Sequence, residues 1–128
     1  MGIFSRKGSA RPAPTDQQPP DRFADEAALK YGVADFAEAA SLYAEAIDKL
    51  HTMYVIGGCK YRSPSSDDQR ILDGIVSSVG AAKAMGEEAS SSDIVRSASY
   101  LEQIAALPAT ASFQHEYTNA IGELRRAL

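Results

Sequence analysis

Apolar residues recur at helical spacing through most of the chain after residue 20. The clearest stripe follows Asp35, where apolar side chains are separated by three or four positions. Its members are Phe36, Ala39, Ala40, Tyr43, Ala46, Ile47 and Leu50. Because the acidic residues of this stretch fall off the stripe, the pattern predicts an amphipathic helix. Asp35, followed by Glu38, predicts a capping box at its start.

A shorter helix is predicted before this one. Asp21, which follows two prolines, is a plausible N-cap, and the helical period then continues to Tyr31. Residues 32–34 form the predicted turn between the two helices.

The second half of the chain predicts three further helices. The first spans about residues 67–86 behind a capping box of Ser66 and Gln69. Another starts at residues 90–93 and stops before Pro108, and the last is capped by Ser112. Short connections predict antiparallel neighbours. The predicted fold class is therefore all-α, an antiparallel bundle or short array of four to five helices.

Residues 52–62 allow two interpretations. Aromatic and β-branched residues on both sides of Gly57 and Gly58 match the signal of a short hairpin. Alternatively, the long helix continues to Ile56, because Met53 and Tyr54 prolong its stripe, and Gly57 ends it. An isolated two-stranded hairpin has marginal stability, which favours the helix.

Residues 1–20 differ from the rest of the chain in composition. They contain four of the six prolines, and residues 8–20 lack any large apolar side chain. This composition predicts a disordered basic arm before a single helical domain at 21–128. At its start, two apolar residues stand beside two cations, which suggests a membrane anchor; the alternative is an ordinary frayed terminus. These four residues are Ile3, Phe4, Arg6 and Lys7.

Charge narrows the range of partners. The chain has 128 residues and a net charge of −4, and the arm is basic whereas residues 21–128 are acidic. An acidic body repels phosphate backbones, so no nucleic-acid partner is expected. No apolar run is long enough to span a bilayer, and a single cysteine excludes an internal disulfide. These features favour a cytoplasmic protein.

No motif in the sequence indicates catalysis. Gly57 and Gly58 lack the lysine-bearing context of a phosphate-binding loop. His51, Cys59 and His115 are too scattered along the chain for metal-ligand spacing. We therefore expect no enzymatic activity, no metal and no cofactor.

The segment ADFAEAASLYAEAI, at residues 34–47, resembles the second half of a tetratricopeptide repeat. Phe36, Ala39, Tyr43 and Ala46 match its small and aromatic positions, which let two helices approach closely. The same segment is similar to the three-helix microtubule-interacting-and-trafficking domain. Both resemblances cover mainly residues 22–50, and both imply a helical hairpin in a protein that binds other proteins.

These observations predict a non-enzymatic protein-interaction or adaptor module. Residues 24–48 contain six acids and one lysine, which favours a basic or amphipathic helix as the partner. The candidate binding strip consists of Glu38, Tyr43, Glu45 and Asp48. Alternatively, Tyr43 belongs to the core and the acids only maintain solubility. Two further hypotheses are a homo-oligomeric structural subunit, such as a homodimer, and a peripheral membrane scaffold that uses the arm.

Overall fold

Five α-helices form the part of the chain that the computed structural model describes, residues 18–128. They are α1 (Pro19–Gly32), α2 (Phe36–His51), α3 (Gln69–Ala84), α4 (Ser91–Ala105) and α5 (Gln114–Arg126). Between residues 18 and 128 there is no strand, so the all-α prediction is confirmed and the hairpin interpretation of 52–62 is wrong. None of these helices is both long and apolar enough to cross a membrane.

The bundle is a ring of four helices with a fifth on its outside. Around the ring, α2 contacts α3, α3 contacts α5, α5 contacts α4, and α4 returns to α2, while α1 packs against α2 and α3. The chain-adjacent helices α3 and α4 do not pack along each other, although antiparallel packing of such neighbours was predicted. Instead α4 crosses to the far side of α2, which leaves α3 and α5 as parallel neighbours.

The core surrounds α2, and most residues of the apolar stripe predicted for this helix are buried in it. The buried residues of α2 are Ala39, Ala40, Tyr43, Ala44, Ala46, Ile47, Leu50 and His51. The facing helices supply aliphatic side chains at helical spacing, among them Ile71 and Ile75 from α3 and Leu101 and Ile104 from α4. Full burial of one such side chain contributes about 1.5–3 kcal/mol to the free energy of unfolding. The alanines of α2 explain why three helices can approach it closely.

The first two predicted helix starts are corrected by the structure. α1 begins at Pro19 rather than after Asp21, because a proline lacks the N–H that a first-turn residue leaves unbonded anyway. Asp21 lies in the first turn instead. Asp35 precedes α2, but its side chain makes no capping hydrogen bond, so the predicted box with Glu38 is absent.

For the later helices, the predicted start at residues 90–93 is confirmed and two predicted caps are wrong. Ser90 caps α4, its hydroxyl accepting a hydrogen bond from the Asp93 amide at 3.3 Å. The capping box before α3 uses Ser65 and Asp68, one residue earlier than predicted. Ser112 caps nothing, because the chain already turns as a 3₁₀-helix over Pro108–Phe113 before α5. The Thr110 hydroxyl donates to the Ile104 carbonyl at 2.6 Å and holds that turn against α4.

The helical conformation continues beyond α2 as predicted, but as the wider π-helix. Thr52–Ile56 is a π-helical segment, and Gly57 follows it at the C-cap. A Cβ at Gly57 would lie 2.9 Å from the Met53 carbonyl oxygen, which explains the glycine there. Gly58 and Cys59 then take left-handed φ angles of 64° and 61°, which reverse the chain.

Candidate functional site

The four residues of the predicted binding strip do not form one surface. Glu38 is exposed, whereas Glu45 and Asp48 both contact Arg96 of α4, at 3.4 and 3.1 Å. Tyr43 is only 8% exposed and lies against α3 at Gly74. The structure therefore brings Glu45 and Asp48 together and separates them from Tyr43, which belongs to the core. The predicted anchor residues Ile3, Phe4, Arg6 and Lys7 lie outside the described residues.

A groove lies between the parallel helices α3 and α5. Three depressions lie in a row along it, with volumes of about 170, 320 and 290 Å³. The first and second share Val76 and Glu123, and the second and third share Val79 and Ala127. Neighbouring depressions therefore adjoin along α3 and α5. The third is also lined by residues 87–89 and by Ser91 and Ile94 of α4, so the row ends at the start of α4.

Small side chains keep this groove open. Gly80 on α3 faces Ala127 on α5 in the middle depression, and Ala120 lines the first one. A Cβ added at Gly80 would meet no atom within 4 Å, so the space beside this glycine is empty. The groove extends from Gln69 to Lys83 along α3, which corresponds to about 21 Å at 1.5 Å per residue. Leu72, Val76 and Val79 form its apolar floor on α3.

The borders of the groove are predominantly acidic. The acidic residues are Asp73, Glu87, Glu88, Glu116 and Glu123, against the cations Lys83 and Arg126. Arg126 donates to Glu123 at 2.6 Å, so one of the two cations is already paired. The end of the groove near Gln69 and Asn119 carries three acids and no cation. Its electrostatic potential therefore favours a cationic ligand there.

A buried polar network holds the loop before α3 against the start of α1. The Arg62 guanidinium donates to Tyr54 Oη at 2.9 Å and to carboxylate oxygens of Asp21 and Asp68 at 2.8 and 2.7 Å. A further hydrogen bond reaches Gln18 Oε1 at 3.0 Å. The Tyr54 hydroxyl donates to Asp68 at 2.6 Å. With four of the five N–H groups of Arg62 engaged, little donor capacity is left for an external anion.

The network favours the protonated forms of Tyr54 and Arg62, which donate the hydrogen bonds described above. Burial raises the pKa of Tyr54 far above its ordinary value, and the hydrogen bond to Asp68 raises it further. Burial alone would lower the pKa of Arg62, but its hydrogen bonds to Asp21, Asp68 and Tyr54 raise it instead. Both residues therefore keep their protons at neutral pH. Through these bonds the network joins Gln18 and the start of α1 to the loop before α3.

Tyr117 of α5 lies close to this network without joining it. Burial raises the pKa of Tyr117, and the Asp68 charge adds to the increase while Arg62 opposes it. Its buried hydroxyl has no hydrogen-bond partner among the residues that the structure describes. The hydroxyl therefore makes no bond that helps to join α5 to the rest of the bundle.

The candidate ligating and nucleophilic residues have separate surroundings. His51 is buried rather than at the surface, stacked on Tyr100 with ring centroids 4.0 Å apart, and bonded to Gln103 at 2.8 Å. His115 is exposed on α5, and the Cys59 thiol donates weakly to the Tyr54 carbonyl. Within residues 18–128, no group of three or more His, Cys, Asp or Glu side chains is arranged to hold a metal.

The α3–α5 groove was not predicted from the sequence. One signal for it was visible, since Gly74 and Gly80 weaken the predicted helix unless they serve packing. Gly74 does serve packing against Tyr43, whereas Gly80 borders empty space. The two glycines could not be distinguished without knowing that α2 packs against α3 at Gly74 and that α5 runs beside α3 at Gly80.

The chain matches no protein-family model, no curated protein and no solved structure. The helices α1 and α2 do form a hairpin, with Ala39, Tyr43 and Ala46 buried as small and aromatic packing residues. Membership in the tetratricopeptide or microtubule-interacting-and-trafficking family stays a prediction.

Proposed function

We propose that this protein is a non-enzymatic interaction module whose α3–α5 groove binds a basic amphipathic helix of a partner protein. The observation that carries the proposal is the row of three adjoining depressions along α3 and α5. A cytoplasmic location is part of the same proposal, supported by the single free cysteine, Cys59.

The dimensions of the groove suit a helical ligand. An amphipathic helix binds a groove through apolar side chains at positions i, i+3 or i+4, and i+7. A span of about 21 Å accommodates roughly four turns, and each depression can take one apolar anchor. Leu72 and Val79 of the apolar floor are 2% and 6% exposed, and Val76 is half-buried, so the affinity would come mainly from burial of the ligand's own apolar anchors.

The charge of the groove selects among amphipathic helices. Five acids and two cations border it, and Glu123 already engages Arg126. A ligand with lysine or arginine beside its apolar stripe would be attracted to Asp73, Glu116 and Glu123. A ligand with glutamate in those places would be repelled. We expect this complementarity to act mainly on the association rate and on its salt dependence.

A designed peptide provides the test. Its sequence carries leucines at i, i+3, i+4 and i+7 with flanking lysines, and a matched peptide replaces each lysine by glutamate. Fluorescence anisotropy of the labelled peptides then measures binding to the full chain. We expect the lysine peptide to bind and the glutamate peptide to bind at least about tenfold more weakly, a difference of roughly 1.4 kcal/mol.

A variant that fills the groove identifies the binding site. Gly80→Leu places a side chain in space that is empty in the structure, and it replaces a poor helix former. The matched control is Gly32→Leu at the end of α1, where an added Cβ also meets no atom within 4 Å. We expect only Gly80→Leu to abolish peptide binding.

Two results would contradict this function. One is equal affinity of the peptide for Gly80→Leu and for wild type. The other is a wild-type dimer in sedimentation that becomes monomeric in Gly80→Leu, because the groove would then be occupied by a second copy of the chain.

A further inference from the structure

The described part of the chain begins beside the acidic end of the groove. The Gln18 side chain accepts a hydrogen bond from Arg62 at 3.0 Å, and Arg62 donates to Asp68 at 2.7 Å. Asp68 directly precedes Gln69, which lines the first depression. The charges of Asp68 and Arg62 also act on the pKa of Tyr117, so this network adjoins α5 as well as α3. The residues before Gln18 are therefore attached next to the groove.

The sequence of these preceding residues matches the chemistry proposed above for a ligand of the groove. Residues 1–17 lie outside the described residues, and we call residues 3–11 the arm segment. The arm segment contains three cations and no acid, with two large apolar side chains beside the first two cations. The apolar residues are Ile3 and Phe4, and the cations are Arg6, Lys7 and Arg11.

We infer that the arm segment occupies the α3–α5 groove of its own chain and competes there with the partner helix. The inference rests on the proposed function of the groove and adds its regulation. Charge complementarity favours this occupant, because Asp73, Glu116 and Glu123 line the first depression and no cation does. The acidic body that repels phosphate backbones attracts a basic segment.

The connecting chain is long enough for this contact. Arg11 is seven positions before Gln18, and Lys7 is eleven positions before it. An extended, proline-containing chain spans about 3.1 Å per residue, so Arg11 can lie up to about 22 Å from Gln18 and Lys7 up to about 34 Å. Because the groove is about 21 Å long, the apolar residues of the arm segment can reach the middle depression beside Gly80.

Attachment to the same chain compensates for weak individual contacts. A short linker gives a tethered segment an effective concentration in the millimolar range. A segment of modest intrinsic affinity can therefore occupy the groove in much of the population. A partner helix binds only the free grooves, so its apparent Kd rises in inverse proportion to the free fraction.

Peptide binding to the full chain measures this competition. The lysine peptide described above is titrated into wild type and into the double variant Arg6→Ala with Lys7→Ala. We expect the variant to bind about fivefold more tightly, which corresponds to a groove that is occupied by the arm segment in about four-fifths of wild-type molecules. The matched control, Arg22→Ala with Lys30→Ala, removes the same charge from exposed positions of α1 and is expected to bind the peptide like wild type.

A spin label detects the arm segment in the groove without any peptide. The label is attached to Ser5→Cys in a ¹⁵N-labelled chain that carries Cys59→Ser, because Cys59 is the only native cysteine. We expect selective broadening of the amide resonances of Val76, Gly80 and Asn119, which line the groove. Addition of the lysine peptide is expected to reverse this broadening.

Three results would overturn the inference. One is equal affinity of the peptide for wild type and for the Arg6 and Lys7 variant, and another is a label that broadens no groove amide. The third is equal broadening of these amides in a separate, unlabelled chain, because the arm segment would then occupy the groove of a second copy. If the peptide binds neither protein while the label broadens the groove amides, the proposed function fails and the occupancy of the groove by the arm segment stands.

Discussion

The ring of Tyr43 on α2 occupies the place where a side chain would stand at Gly74 on α3. A Cβ built on Gly74 would overlap three carbon atoms of that ring. The glycine is therefore what allows α2 and α3 to approach here, and it also explains why Tyr43 is buried rather than available to a partner. This contact lies in the core between α2 and α3, and α3 also forms one side of the groove.

Replacing Gly74 by alanine tests this contact. We expect Gly74→Ala to lower the free energy of unfolding by about 1–3 kcal/mol, because overpacking outweighs the gain in helix propensity. At Gly80, where the space is empty, alanine is expected to stabilise the protein by up to about 1 kcal/mol. Urea denaturation compares the two. If Gly74→Ala were as stable as Gly80→Ala, the packing of Tyr43 on Gly74 would be refuted.

The pair of Arg62 and Asp68 predicts a larger effect. Asp68 is 1% exposed, so Arg62→Met leaves a buried carboxylate without its main cation. Loss of one partner of a buried ion pair typically costs about 3–5 kcal/mol. Changing both residues, to methionine and leucine, is expected to recover much of that loss. Arg126→Met removes the exposed bond to Glu123 and is expected to change stability by no more than about 0.5 kcal/mol.

Chemical denaturation of the four proteins separates these effects. A cost for Arg62→Met as small as that for Arg126→Met would show that the network does not hold the loop. A double variant no more stable than Arg62→Met would contradict the expected recovery and would show that the pair itself contributes net stability.

Tyr117 predicts a pH dependence on the alkaline side. Its pKa is raised by burial, so the folded chain keeps a proton that the unfolded chain releases above a pH of about 10. Stability is therefore lost as the pH rises above that value, by up to about 1.4 kcal/mol per pH unit for this group. Tyr117→Phe is expected to reduce this loss. At neutral pH it is expected to be neutral or stabilising, because the hydroxyl lacks a partner among the described residues.

Unfolding free energies of wild type and Tyr117→Phe, measured from neutral to alkaline pH, check both points. Parallel curves would contradict the assigned pKa direction. Destabilisation by Tyr117→Phe at neutral pH would indicate that its hydroxyl is hydrogen-bonded in solution.

Ser90 and Ser112 allow a cap observed in the structure to be compared with one predicted only from the sequence. Ser90 accepts a hydrogen bond at the start of α4, so Ser90→Ala is expected to cost about 1 kcal/mol. Ser112 is exposed within a 3₁₀ turn, and Ser112→Ala is expected to have an effect below about 0.5 kcal/mol. Thermal denaturation of both variants provides the comparison. A larger loss for Ser112→Ala would restore the cap that the sequence predicted.

Sequence analysis predicted the features that depend on local helical periodicity. It failed for features that are determined by contacts between residues distant in the chain. The stripe from Phe36 to Leu50 was sufficient to predict α2 and its buried face, because the helical period alone determines which side chains share a face. The start of α5 was wrong, because Thr110 bonds to Ile104 of the preceding helix and fixes a turn that residue types do not reveal. From its place in the sequence, Asp21 resembled an N-cap. Its actual partner is Arg62, which lies 41 positions further along the chain and cannot be identified from a local pattern.

The candidate site was harder to predict for the same reason. Glu45 and Asp48 are visible as acids in the sequence, but their shared contact with Arg96 requires knowing that α4 packs beside α2. The groove depends on α3 and α5 being parallel neighbours, which follows from the crossing of α4 and not from any motif. Small residues such as Gly80 and Ala127 have no distinctive pattern until both helices are placed.

Chemical-shift mapping tests the central claim most directly. The ¹⁵N-labelled chain is titrated with the lysine-bearing amphipathic peptide, and the amide resonances of α3 and α5 are followed. We expect contiguous changes at Leu72, Val76, Gly80, Ala120 and Ala127, and none of them in Gly80→Leu. Changes confined to the neighbourhood of Glu45, Asp48 and Arg96, or no changes at all, would contradict the assignment of the groove as the docking surface.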